Sequence, residues 1–285
     1  MHSGLVTTFL ENPVSSVAAD RARSWLLVPG SKPELFTPAL ESEVDAVILD
    51  IEDAVSPAGK PAARDAVVAW LRGGRRAWVR INDATTPFWA DDLDALRGID
   101  TLEGVMLAKT ESGSQVEATA ARLGDGVRVV ALVESAMGLE AAPEIARADA
   151  TFRLAFGSGD FRRDTGMSDE PMAMAYPRAR LVVASRAARL PGPIDGPTLT
   201  INDEHLARDS RLTVSMGMTG RLCMHAGQAP VVNRELAPSP DDVTWARDTI
   251  AALGVNGENV RDGSDLPRLA RAKKITDQAQ AFSIR

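Results

Sequence analysis

A chain of 285 residues, 45% hydrophobic and 25% charged, has the makeup of a soluble globular protein with ample material for one large core. A formal net charge of -7 and a pI near 5.1 exclude broad attraction to phosphate backbones or anionic lipid, so neither nucleic acid nor a membrane is an expected partner. Cys223 is the single cysteine, which rules out an intramolecular disulfide and leaves no zinc-type spacing; a cytoplasmic location fits.

Residues 1–23 lack the basic start and apolar core of a signal peptide, and no later segment approaches the roughly 18 apolar residues of a membrane span. This stretch reads as a flexible leader. From Ser24 onward, strand-like and helix-like segments alternate, the pattern of βα units in a parallel sheet. Predicted strands and following helices are Trp25–Val28 with Pro33–Glu41, Ala46–Asp50 with Pro61–Leu71, Ala77–Ile81 with Phe88–Leu96, and Gly104–Leu107 with Ser114–Leu123. Then come Val127–Val133 with Leu139–Ala146, Phe152–Phe156 with Met172–Leu190, a weak strand near Ile194–Ile201 with Glu204–Ser215, and Gly220–Met224 with Gln228–Leu236. Several helices open with proline near the first turn, where a missing N–H costs nothing. On the long helix, Arg178, Arg180, Arg186 and Arg189 are expected on a solvated or subunit-facing side.

Eight such units predict an α/β fold of TIM (β/α)8 barrel type over residues 24–253; length alone would also allow two domains. A further helix is Pro240–Leu253. A glycine- and aspartate-rich segment and a basic helix from Pro267 to about Ala281 make residues 254–285 a candidate lid or subunit-exchanging arm.

Four apolar runs end on charge: Ala46–Asp53, Ala77–Arg80, Val129–Glu134, and Phe152–Phe156 running into Gly157-Ser158-Gly159-Asp160. In a parallel barrel these ends meet on the rim that carries the chemistry. Glu134 and Asp160 follow adjacent strands, and two carboxylates with open coordination positions suit a hard divalent cation such as magnesium. Either acid alone is as readily a helix cap. Arg80 presents a planar fork to a carboxylate or developing oxyanion, or else pairs with Glu52 or Asp53. Glu52 is placed in the same mouth as an orienting partner, with Asp50 and Asp53 read as structural. Lys109 reads as a rim ion pair with Glu134 or Glu52 rather than a Schiff-base lysine. Gly157-Ser158-Gly159 lacks dinucleotide-fingerprint spacing and reads as a loop leaving room for a ligand.

The blocks Trp25–Phe36, Leu49–Val55, Val79–Asn82, Met106–Ser112 and Ala131–Ser135 resemble, in order, the signatures of the citrate lyase β-subunit-like family. That family sits with malyl-CoA and citramalyl-CoA lyases in the HpcH/HpaI aldolase group. The resemblance implies a TIM barrel that uses Mg2+, held by Glu134 and Asp160, to cleave a carbon–carbon bond in a β-hydroxyacyl-CoA. It implies Arg80 as the contact to the substrate carboxylate or enolate, and Pro29, Gly30, Lys32 and Lys60 near the coenzyme A pantetheine and phosphates, with Gly157 in the loop that leaves room for the substrate. Asp265, two residues before Pro267, matches a lid aspartate that reaches a neighbouring subunit's site and protonates the enolate carbon. Gly159 stands where relatives carry glutamate. The resemblance further implies a homo-oligomer, a trimer or a hexamer. Two other readings fit the same residues: an aldolase on free 2-oxo acids without coenzyme A, and a non-catalytic acyl-CoA-binding subunit.

Overall fold

The computed structural model describes residues 17–284. Eight parallel strands close into a barrel in sequence order, β8 pairing back onto β1. They are β1 (Ser24–Pro29), β2 (Ala46–Asp50), β3 (Ala77–Ile81), β4 (Leu102–Leu107), β5 (Val129–Val133), β6 (Thr151–Phe156), β7 (Ile194–Asp195) and β8 (Gly220–Cys223). Outside run α1 (Phe36–Leu40), α2 (Lys60–Arg72), α3 (Pro87–Leu96), α4 (Gly113–Leu123), α5 (Ala136–Glu140), α6 (Ala142–Arg147), α7 (Ser158–Thr165), α8 (Ala175–Ala187), α9 (Asp203–Ser215) and α10 (Ala229–Glu235). A C-terminal pair, α11 (Pro240–Leu253) and α12 (Asp265–Ala281), packs around its own small core of Val243, Ala246, Ala272, Ile275 and Ala279. This is the expected TIM barrel with a helical extension. Among the described residues, no helix is long and apolar enough to cross a membrane.

Strand alternation sorts the side chains into two cores. Trp25, Leu27, Ile48, Trp78, Met106, Val130, Leu132, Ala155, Ile194 and Leu222 fill the barrel interior, while their sequence neighbours pack under the helices. Fully buried Arg153 closes the bottom, donating to the carbonyls of Gly192 (2.6 Å) and Ala22 (2.9 Å) and to Thr219 Oγ1 (2.8 Å). Residues 1–16 of the expected leader lie outside the described residues. Its remainder is packed: Ala22 is buried and Arg23 pairs with Asp45 at 2.8 Å.

Three elements differ from expectation, one of them α7, which starts where a glycine turn is expected. The helix expected over Leu139–Ala146 is two, because Pro143 opens α6 where it has no N–H to continue the ladder. Strand β7 is two residues long, and Leu199 and Ile201, whose apolar character suggested a longer strand, are 76% and 85% exposed in a loop. A buried ion network holds this short stave. Asp195 accepts hydrogen bonds from Arg178 Nε (2.9 Å), Arg221 Nη1 (3.1 Å) and Thr213 Oγ1 (2.7 Å). Arg178 is therefore buried, not on the solvated side of its helix.

Candidate active site

The interior alternation continues past the strand ends, carrying Asp50 and Glu52 up from Ile48, Arg80 up from Trp78, and Glu134 up from Leu132 into the mouth. Asp50 and Arg80 are register partners across β2 and β3. They make a bidentate pair, Nε to Oδ1 at 2.8 Å and Nη2 to Oδ2 at 2.6 Å. Arg80 was expected to pair with Glu52 or Asp53; its main partner is Asp50, and Glu52 Oε2 lies farther off, 3.4 Å from Nη1. One edge of the guanidinium is thus fixed by Asp50, and among the described residues Nη1 has only the more distant Glu52 carboxylate as an ion-pair partner. Burial opposes a charge on Arg80, but the Asp50 and Glu52 carboxylates outweigh it and raise its pKa.

Glu52 is buried and bonded to the Lys109 ammonium, which also lies 3.5 Å from Asp53. Lys109 is the rim ion pair expected of it, with Glu52 as the acid. Burial raises the Glu52 carboxyl despite the pull of Arg80 and Lys109, while these carboxylates raise Lys109 against the effect of its own burial. The mouth therefore combines two fixed cations with more acid than they can neutralise.

The excess falls on Glu134. Its Oε1 accepts the Lys109 backbone N–H at 2.8 Å, and the residue is only 5% exposed. Burial pushes its pKa up to about 8, and the Glu52 and Asp160 charges add to the rise. Oε2 rests against Gly157: a Cβ built there would lie 2.5 Å from Glu134 Cβ and closer still to Oε2. Gly157 is thus a cradle for the carboxylate. Asp160 sits in the first turn of α7, its Oδ1 3.0 Å from Arg163, with no capping bond from its side chain. The turn expected at Gly157-Ser158-Gly159 is the head of this helix, and Gly159 faces open space. Among the described residues, no group of three or more His, Cys, Asp or Glu side chains is arranged for a metal. Two acids with positions left for water or substrate would suit magnesium better than zinc.

The cradle yields a test. Replacing Gly157 by Ala, at an unstrained φ of -83°, should cost about 1–3 kcal/mol of stability because its Cβ overlaps the buried Glu134, and should weaken magnesium binding at least about tenfold by calorimetry.

Other expected contacts fall elsewhere. Gly30 lies just past the C-terminal end of β1, its N–H donating to Asp50 O at 2.7 Å; a Cβ there would meet that oxygen at 2.9 Å, so its lack of a side chain serves strand approach. Beyond Pro29 and Gly30, Lys32 is exposed on the rim. The buried Lys60 ammonium donates to Ile51 O (3.2 Å) and Glu52 O (2.8 Å), bracing the β2 loop. Asp265, expected to serve a neighbouring subunit, stands in this single chain at the head of α12, 1% exposed and 3.4 Å from each of Arg261 and Arg268.

The sequence profile of the HpcH/HpaI aldolase/citrate lyase family matches residues 23–226, and that of the HpcH/HpaI aldolase C-terminal domain matches residues 241–283. The chain belongs to the HpcH/HpaI aldolase/citrate lyase family. It is 39% identical over 237 residues to a citrate lyase subunit beta-like protein of Mycobacterium tuberculosis, covering 80% of this chain and 84% of that one. It is 29% identical over 304 residues to an L-malyl-CoA/beta-methylmalyl-CoA lyase of Cereibacter sphaeroides, covering 92% and 95%. The crystal structure of CitE from M. tuberculosis in complex with magnesium, acetoacetate and coenzyme A is similar at TM-score 0.77 and 33% identity, covering 92% of this chain and 99% of that one. Relatives in this family are named lyases, and the chain is an enzyme of that class.

Proposed function

We propose that the chain is a magnesium-dependent carbon–carbon lyase that splits a β-hydroxyacyl-coenzyme A of malyl, citramalyl or citryl type into a 2-oxo acid and an acyl-CoA. The observation that carries this reading is the buried Glu134 carboxylate, short of positive charge, in the same mouth as Asp160 and the immobilised Arg80. Magnesium-bound CitE and the malyl-CoA lyase relatives support it.

Glu134 and Asp160 would hold the ion, with Gly157 giving Glu134 its room. When bound, magnesium supplies a Lewis acid for the 2-oxo acid half of the substrate. The bond that breaks joins the hydroxyl-bearing carbon to the carbon next to the thioester; the hydroxyl gives up its proton, and that carbon next to the thioester takes one. Arg80, gripped along its Nε–Nη2 edge by Asp50, offers Nη1 to the substrate carboxylate without having to reorganise, the arrangement in which a fixed donor contributes most. Glu52, pinned by Lys109, orients Nη1. Lys32, exposed above β1, is the cation available to a coenzyme A phosphate.

The test is to incubate the protein with magnesium and malyl-, citramalyl-, β-methylmalyl- or citryl-CoA and follow release of 2-oxo acid. The reading predicts cleavage of at least one ester, abolished by EDTA. Cleavage of free hydroxy-oxo acids alone would favour an aldolase without coenzyme A. Saturable thioester binding with no cleavage would favour a binding subunit.

A further inference from the structure

Among the described residues, three non-glycine positions have a positive φ: Lys109 (46°), Arg189 (62°) and Ser283 (55°). Arg189 and Ser283 each lie two residues past the end of a helix, where left-handed residues commonly terminate the coil. Lys109 follows a strand, where no such habit explains it. Its neighbours are pinned from both sides: the Ala108 N–H donates to Ile81 O of β3 at 3.4 Å, and the Thr110 N–H donates to Leu132 O of β5 at 2.9 Å. Between these ladder-like bonds the chain turns once into the left-handed region, and the Lys109 N–H swings away from both strands onto Glu134 Oε1. Strained conformations that the surroundings over-determine concentrate where geometry serves function.

Resting on the reading that Glu134 is a metal ligand, we propose that Lys109 is a positioning residue for the metal pair, through its backbone. The left-handed turn commits Oε1 of Glu134 to a fixed N–H, which leaves Oε2, the oxygen seated on Gly157, to face the cation. The side chain does a second job, since its ammonium holds Glu52. That job explains why lysine, rather than the glycine such a φ favours, occupies the turn.

A three-variant series separates backbone from charge. Lys109→Gly, Lys109→Ala and Lys109→Val all remove the ammonium, but glycine adopts the left-handed turn freely, alanine less so and β-branched valine least. Magnesium affinity is read by titration calorimetry, with melting curves confirming that each variant is folded. The expected dissociation constants rise in the order glycine, alanine, valine, with glycine within about threefold of wild type and valine at least about tenfold weaker, the loss typical when a ligand's hydrogen-bond partner is displaced. If valine does not fold, alanine against glycine decides. Equal affinities across the series overturn this inference alone, whereas a wild type that takes up no magnesium overturns it together with the reading on which it rests.

Discussion

Glu134→Gln should lose magnesium-dependent cleavage by at least about a thousandfold and yet, without metal at pH 8, melt at a higher temperature than the wild type. The rate loss follows from removing a metal-binding oxygen, since the several kcal/mol a Lewis acid supplies correspond to about three powers of ten. The stability gain follows from the raised pKa. In the folded chain burial keeps the carboxyl protonated up to about 8, while unfolded it ionises near 4.5. Between those values the native state binds more protons than the unfolded one, so stability falls as pH rises through the window, by an amount on the order of a few kcal/mol. Glutamine carries no such proton. The difference in melting temperature should be small near pH 4.5 and grow toward pH 8. Magnesium should narrow it by raising the wild type alone, more at pH 8 than at pH 6, because binding must displace the proton.

Asp195→Ala carries the largest expected stability loss. It leaves the buried Arg178 and Arg221 without their shared acid, and breaking a buried pair in this way costs about 3–5 kcal/mol. For a chain of this size that is a fall of about 10 °C in melting temperature, read by differential scanning calorimetry. The position matters because β7 adds so little ladder: it meets β6 only at Ala155↔Ile194, and β8 at Ile194↔Gly220 and Asp195↔Arg221. The next residue, Gly196, packs close enough to Ser158 that a Cβ would stand 2.8 Å from the serine Cβ, at the head of the helix that carries Asp160. Loosening β7 should therefore weaken magnesium binding as well.

The rim chemistry was legible because inward alternation carries on past the strand ends, so a charged residue two places beyond Leu132 or Trp78 had to point into the mouth. Pairing was not legible. That Asp50, rather than Glu52, grips Arg80 depends on the register of β2 against β3, a relation between residues thirty positions apart. Helix α7 was hidden by its glycine-rich, polar start, and the apolar residues near Leu199 suggested a strand although they lie exposed in a loop. Lys60 shares a helical stripe with Ala63, Val67 and Leu71, and Asp265 shares one with Leu269, Ala272 and Ala279, so spacing alone put each on its helix's buried face. The left-handed turn at Lys109 had no sequence signal, because tertiary bonds on either side impose it.

The central claim is that Glu134 and Asp160 bind one divalent ion between them. Crystals grown with manganese and measured for anomalous scattering test it most directly. The account predicts one strong peak per chain within about 2.5 Å of an oxygen of each carboxylate. A fully occupied peak elsewhere, or one touching Glu134 while Asp160 stays with Arg163, would contradict it.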